Sequence, residues 1–369
     1  MPPFINGLTL SRAFYLEAVA PILNTHYPNL PHAAALIGSG SEVLGYDTEM
    51  STDHHWGPRV LLFLHPADHA TYAAAIAETL RHHLPYTFRG YPTNFGDPSQ
   101  EVGNEGVQLL SEITSGPVNH RVEMTTLPDF VRNLLGITWG DPITPADWLA
   151  FPQQKLLEIT AGDVFHDAIG LNDLRRQLAY YPNDVWRYLL IGSWNRIGQD
   201  EHLAPRAGYA GDELGSAVIA GRLVRSIMQW CFLMERRYAP YPKWLGTAFM
   251  RLTCGPSLSP ILRRVQMGET WQLREGALVE AYEIITTMHN SLGITDPIIP
   301  AVVQFYGRPF RVSRATEIAH AIRQTIDDPA VQAIVQKTGI GSIDQFSDNT
   351  DLREDVRLHG TLAQLYRES

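Results

Sequence analysis

The sequence predicts an α/β domain over residues 1–140 followed by a larger helical domain over 141–369. Helical and strand-like segments interleave in the first part, helical periods take over in the second, and a Gly-, Pro- and Asp-rich connection at 138–145 separates them. In the first part, 11–25 is amphipathic, 33–37 is a short apolar run, and Arg59–Leu64 is a β-type run. Residues 66–84 form an Ala-rich helical stretch that Pro85 ends. Residues 120–126 alternate so that Val122 and Met124 share one face, and Leu127–Leu135 reads as a short helix closed by Gly136. In the second part, helical periods cover 171–181, 184–199, 212–238, 269–292, 314–326 and 329–337. The longest opens on Asp212 as an N-cap and aligns Leu214, Val218, Gly221, Val224, Met228 and Cys231, which predicts a central, buried helix. Its small residues, Ser216, Ala217, Ala220 and Gly221, suit close approach of a neighbouring helix.

Composition narrows the function. With 369 residues, 44% of them hydrophobic and 18% charged, the chain can build its core without covalent staples. Two cysteines, Cys231 and Cys254, support neither a disulfide framework nor a structural zinc site, and a reducing cytoplasm fits best. His65 and His69 flank Pro66 and are assigned no zinc. Residues 1–9 lack a basic segment followed by an apolar run, and no stretch reads as the roughly 20 apolar residues of a membrane span. The expectation is a cytoplasmic protein without membrane association. Lys and Arg number 29 against 39 Asp and Glu, a net charge of −10 that disfavours a broad nucleic-acid surface and favours small molecules or protein as partners. Neither a G-x-S-x-G elbow nor a GxxxxGK[ST] loop occurs, so serine hydrolases and P-loop NTPases are not supported.

The chemistry concentrates in residues 36–64, LIGSGSEVLGYDTEMSTDHHWGPRVLLFL. An apolar strand runs into Gly38-Ser39-Gly40-Ser41, where backbone N–H groups can turn toward a phosphate, although a plain turn gives the same pattern. Thr52-Asp53-His54-His55 reads as the entry to a second strand, which would put Asp53 and His55 on one face. Asp47 and Glu49 also have Asp-x-Glu form but do not lead into an apolar strand, and they read as a solvated loop. In His120-Arg121-Val122-Glu123-Met124-Thr125, Glu123 shares a face with Arg121 and Thr125. There it is either a metal ligand or general base, or the ion-pair partner of Arg121.

An apolar residue, Gly-Ser, a gap of about a dozen residues, then an acid at a strand entry resembles the polymerase-β-like nucleotidyltransferase superfamily, with Gly38, Ser39 and Asp53 in that order. More narrowly, GSGSEVLGYDTEMSTDHHWGPR, together with LLEITAGDVFHD at 156–167, YYPNDVWRY at 180–188 and RRYAPYPKWLG at 236–246, resembles the bacterial family called domain of unknown function 4037. The resemblance implies a nucleotidyltransferase-like α/β core with a mixed sheet, followed by a helical domain. It also implies transfer of an NMP from an NTP such as ATP to an acceptor, dependent on a divalent ion, Mg²⁺ or Mn²⁺. The acceptor is not implied by the resemblance, and a small-molecule or protein hydroxyl is the expectation. Clustered carboxylates serve such transfer by holding ions that neutralise the phosphates. Asp53, Glu123 and His55 are the candidate catalytic and metal residues, and Gly38, Ser39, Gly40 and Ser41 the candidate nucleotide-binding ones.

His55 departs from the pattern, which expects an acid there. Imidazole suits Mn²⁺ or Zn²⁺ better than Mg²⁺. His55 therefore binds a softer ion, serves as an acid–base or phosphate-contacting group, or marks a site whose catalysis has been lost. The last case makes the protein a nucleotide-binding regulator. Lys243 and Tyr241, at a Pro-marked turn after the long helix, suit triphosphate neutralisation and base stacking, against the plainer reading of surface Lys and packed aromatics. His166-Asp167 reads as a helix-boundary pair.

Overall fold

A computed structural model describes residues 3–53, 56–102 and 104–367, apart from the side chain of Asp53. Two compact units divide the chain: Met1–Asp141 with Lys155–Ala179, and Pro142–Gln154 with Tyr180–Ser369.

The first unit is α/β. Helices α1 (Gly7–Phe14) and α2 (Ala20–His26) precede strand β1 (His32–Leu36), and β2 (Arg59–Leu64) leads into α3 (Pro66–His83). A short hairpin, β3 (Thr87–Phe88) with β4 (Tyr91–Pro92), is followed by β5 (Arg121–Thr125) and α4 (Leu127–Leu135). Thr126 caps α4 by accepting from the Asp129 N–H, and Gly136, which the sequence predicts to close it, does so in the left-handed conformation. After α5 (Pro145–Ala150), which belongs to the second unit, α6 (Gln153–Thr160), β6 (Asp163–Asp167) and α7 (Leu171–Gln177) follow.

The sheet order is β5-β2-β1-β6, with β1 antiparallel to both neighbours and β2 parallel to β5, so the sheet is mixed. Ala34, Val60, Leu62, Leu64 and Val122 point to one face, where they join Leu10, Phe14, Ile76 and Leu80 in the core. The opposite face carries Arg59, Arg121 and Glu123, in a register that pairs Arg59 with Arg121 and Leu61 with Glu123. Strand β6 was not legible as a strand in the sequence. It is held at both ends: Arg12 pairs with Asp163, and Asp167 accepts from the N–H groups of Ile169, Gly170, Leu171 and Asn172. Burial opposes ionisation of Asp167, but these four donors outweigh it and hold the carboxyl below its usual range. This is the helix-boundary role expected of it.

Arg175 donates to the carbonyls of Ile159, Thr160 and Ala161, which end α6, and so satisfies orphan acceptors with a cation. Gly162 follows at φ +70, and a Cβ there would stand 2.1 Å from the Leu36 carbonyl oxygen. That carbonyl cannot retreat cheaply, because Leu36 pairs with Asp163 and the Gly38 N–H is bonded to the Glu158 carbonyl. Gly45 has nearly the same φ, +68, with nothing within 4 Å of a Cβ. Both Gly→Ala changes therefore carry the left-handed penalty of about 1–2 kcal/mol, and Gly162→Ala is expected to lose a further ~2 kcal/mol. Urea denaturation of the two variants checks this, and equal losses remove the steric argument.

The second unit is helical: α8 (Asn183–Asp200), α9 (Leu203–Tyr209), α10 (Glu213–Met234), α11 (Pro242–Phe249), α12 (Gly255–Met267) and α13 (Trp271–Ser291). A hairpin of β7 (Val303–Gln304) and β8 (Arg311–Val312) precedes α14 (Ala315–Arg323), α15 (Pro329–Lys337), α16 (Ile343–Phe346), α17 (Thr350–Glu354) and α18 (His359–Ala363). Trp194 of α8 and Trp230 of α10 meet edge to face at 4.7 Å in a core with Tyr188, Ile227, Tyr282 and Ile285.

Asp212 caps α10 as predicted, accepting from the Gly215 N–H at 2.7 Å. The predicted buried stripe holds at Val224 and Cys231 but is misplaced in the first turns: Leu214 is 77% exposed and Val218 59%, and the inward face there runs through Ser216 and Ala220 toward Leu223, Ile227 and Trp230. The small residues decide this. Buried Arg274 of α13 donates to the Ser216 hydroxyl at 3.2 Å and pairs with Glu213, so the first turns of α10 approach their neighbour through Ser216 and Ala220. By length and composition α10 could also span a membrane, contrary to the sequence reading, and half of its apolar window is buried. That burial matches the core helix of a helical domain.

Candidate functional site

Within the α/β unit, the sheet face opposite the core opens on a cleft of about 440 Å³. The end of β1 and its following turn contribute Leu36, Gly38 and Ser39, and α4 contributes Phe130. Polar groups converge from three elements: Arg59 from β2, Arg121 and Glu123 from β5, Lys155 and Glu158 from α6.

The turn after β1 is fixed by its own chemistry. Arg59 donates to the Ser39 carbonyl at 2.8 Å and to the buried Glu42 carboxylate at 2.5 Å. Gly40, at φ +137, passes so close that a Cβ would lie 2.6 Å from both groups, so only glycine lets the guanidinium seat beneath the turn. The Tyr46 N–H closes the segment onto the Ser41 carbonyl at 2.9 Å. On β5, Arg121 donates to Glu123 at 2.8 Å; the arginine side chain is 16% exposed and the glutamate 54%. The face-sharing of Arg121, Glu123 and Thr125 expected from alternation is present, and so is the ion pair offered as the plainer reading of Glu123. On α6, Lys155 and Glu158 are paired at 3.5 Å with little solvent exposure.

The structure thus brings Gly38, Ser39 and Glu123 to one cleft, with Gly40 and Ser41 completing the turn beside it. Asp53 does not enter a strand: it ends a short 3-10 helix, Glu49–Asp53, well before β2 begins at Arg59. Its side chain and the whole of His55 lie outside the described residues. Asp47 is not a solvated loop acid, since it accepts from the Gly7 N–H at 2.7 Å, the Trp56 indole at 3.2 Å and the Asn6 amide, which ties down the start of α1. Tyr241 and Lys243 belong to the helical unit, where Tyr241 precedes α11, its N–H bonded to Gln154, and the Lys243 ammonium lies 5.1 Å from the Trp244 ring. Sequence reasoning missed Arg59, Lys155 and Glu158. The only signal for Arg59 was a charged residue opening an otherwise apolar strand.

As to a divalent ion, Glu123 offers a hard, half-exposed oxygen donor in a polar cleft, which suits Mg²⁺ or Mn²⁺. Among the described residues no three His, Cys, Asp or Glu side chains gather into a ligand cluster. The Asp53 side chain and His55 lie outside the residues so compared.

Residues 148–245 match the family described as domain of unknown function (DUF4037). The chain carries a DUF4037 region. It runs from within α5 to within α11, holds the segments 156–167 and 180–188 and nearly all of 236–246, and includes Lys155 and Glu158 of the cleft. The 38–41 turn and Glu123 lie outside the DUF4037 match. Among solved structures, the DUF4037-bearing chain is similar to a nucleotidyltransferase-like protein from Exiguobacterium sibiricum 255-15. The two are 9% identical, with a TM-score of 0.31, over 87% of this chain and 89% of that one. A likeness at that score carries no argument about this cleft. No curated protein matches the sequence.

Proposed function

We propose that the α/β unit binds a nucleoside triphosphate in the cleft beside the 38–41 turn, and that the protein transfers the NMP to a hydroxyl of a small-molecule or protein acceptor. The observation that carries this reading is the convergence of a glycine–serine turn, three cationic side chains and Glu123 on one sheet face. A triphosphate needs what that face supplies: backbone N–H and hydroxyl donors from Ser39, close approach at Gly38, whose own N–H is held by the Glu158 carbonyl, and positive charge from Arg59, Arg121 and Lys155. Asp53 and Glu123, with His55, are the residues that would hold a divalent ion, whose contribution is to neutralise charge on the phosphates. The acceptor oxygen forms a bond to the α-phosphorus, the bond to the β-phosphate oxygen breaks, and pyrophosphate leaves. Where Asp53 and His55 would hold the ion without it, Glu123, freed from Arg121 when that arginine turns to phosphate, takes the proton of the acceptor hydroxyl; where Glu123 would be a ligand, that proton passes to solvent water.

The second reading, a regulator that binds nucleotide without turnover, is favoured by the engagement of Glu123 with Arg121 at 2.8 Å. Calorimetric titration of the full-length protein with each NTP, with Mg²⁺ or Mn²⁺ added separately, followed by a pyrophosphate-release assay across acceptors, separates the two. Metal-dependent binding with pyrophosphate release supports transfer, binding without release supports the regulator, and no NTP binding ends both.

A further inference from the structure

A second polar recess lies wholly in the helical unit, between α8, α10 and the segment after α16, with a volume of about 100 Å³. Three guanidinium groups enter it: Arg196 from α8, and Arg222 and Arg225 from α10. Their spacing follows helix geometry. Residues 222, 225, 226 and 229 recur on one side of α10, and Arg196 lies one turn before Asp200 on α8, so two neighbouring helices present their cations to one space.

The carboxylates at hand do not use these cations up. Asp200, almost fully buried, takes a two-pronged contact from Arg222. Arg196 stands 3.7 Å from the same carboxylate and, among the described residues, has no hydrogen-bond acceptor. Arg225 pairs at 2.9 Å with Asp348, which sits between α16 and α17 with its side chain 69% exposed. Three cations therefore face two acids, one of them at the surface; buried Asp344, which also acts on Arg225, is already paired with Arg353. Ser226 and Gln229 add polar groups to the wall, and neither has a protein hydrogen-bond partner among the described residues. Gln345, by contrast, is anchored, donating to the Ser193 hydroxyl and the Leu189 carbonyl.

We infer that this recess binds a phosphate group, as the free ion or as a phosphomonoester, held by Arg196, Arg222 and Arg225 with Ser226 and Gln229. A carboxylate has two oxygens in one plane with about four acceptor lone pairs, whereas a tetrahedral dianion spreads its acceptors over three or four oxygens, enough to meet three forks and two polar side chains from different sides at once. The volume exceeds several times the ~10–15 Å³ that a single water needs. Asp348 occupies the anion's place on Arg225 when the recess is empty and moves outward when it fills, which its exposure permits.

Full-length protein titrated calorimetrically with inorganic phosphate and with glycerol 3-phosphate tests this. Saturable binding is expected with at least one of them, and the tighter of the two distinguishes a free ion from an ester. Arg196→Gln should weaken it about tenfold or more, while leaving Asp200 its Arg222 partner and the fold intact. Asp348→Asn should tighten it several-fold by removing the competing carboxylate. The inference is overturned by the absence of saturable binding, by equal affinity in Arg196→Gln, or by loss in Arg121→Gln rather than Arg196→Gln. The last outcome would move the phosphate to the cleft of the α/β unit. Because the two recesses lie in different units, failure here leaves the nucleotide reading standing, and the reverse also holds.

Discussion

Asp53→Ala is expected to reduce metal-dependent pyrophosphate release by a factor on the order of 10³ or more, with cooperative unfolding preserved. Three decades correspond to about 4 kcal/mol of transition-state stabilisation, the scale of losing an ion that neutralises a transferring phosphoryl group. Asp53 carries this expectation because it stands at the acid position of the Gly38-Ser39 motif and closes a short helix whose preceding residues, Ser51 and Thr52, are only half-buried. The contrast that makes the result specific is Glu49→Ala. Glu49 opens the same helix and is exposed, and its companion Asp47 is engaged in anchoring α1, so loss of Glu49 should leave release at the wild-type rate. Turnover retained in folded Asp53→Ala, or lost equally in Glu49→Ala, would remove Asp53 from the assignment.

Glu201→Gln is expected to stabilise the protein above neutral pH. Glu201 is 5% exposed and lies at the end of α8, where it accepts from the Ser313 N–H at 2.6 Å. Burial pushes its pKa up to about 7, against the pull of the hydrogen bonds from Ser313. The folded state thus holds this proton where the unfolded chain has released it. Stability from this group is complete below the ordinary glutamate range, falls as pH rises from about 4.5 to about 7, and is flat above that. A gap of that size corresponds to about 3 kcal/mol of penalty at high pH. Glutamine keeps an oxygen for the Ser313 N–H and carries no charge, so denaturant titrations should show Glu201→Gln gaining up to this amount near pH ~8 and nothing near pH ~4. An identical pH slope in both proteins would mean that the charge is compensated by another route. Buried Tyr282 reinforces the argument, because its hydroxyl is raised well above the usual phenol range by burial and by Glu201.

Much of the α/β unit could be read from the chain, and the reasons are local. Strand β2 and helix α4 carry unambiguous periods and end signals: an apolar run in the first, a Thr cap with a left-handed Gly136 in the second. Strand β6 carries neither. Asp163-Val164-Phe165-His166-Asp167 has too few apolar residues to alternate, and it is a strand because β1 offers it an unpaired edge and its terminal aspartates are anchored. The face of the first turns of α10 was misjudged for a related reason, while Val224 and Cys231 further along are buried as predicted. Leu214 and Val218 follow a helical period, but Ser216 and Ala220 permit a closer approach, and that closeness determines which side is inward. In the cleft, Gly38, Ser39 and Glu123 were legible because turn chemistry and alternation are encoded within a few residues. Arg59, Lys155 and Glu158 were not, since their meeting depends on the β2–β5 register and on the return of the chain through α6.

The position of β6 has a bearing on biosynthesis. Ala33 finds its partner at Asp167 only after the ribosome has made the intervening hairpin, two more strands and several helices. Until then the nascent β1 has hydrogen-bonding groups bare along one side, an invitation to pair with a neighbouring chain, and a fragment stopped at residue 140 would keep that invitation open permanently.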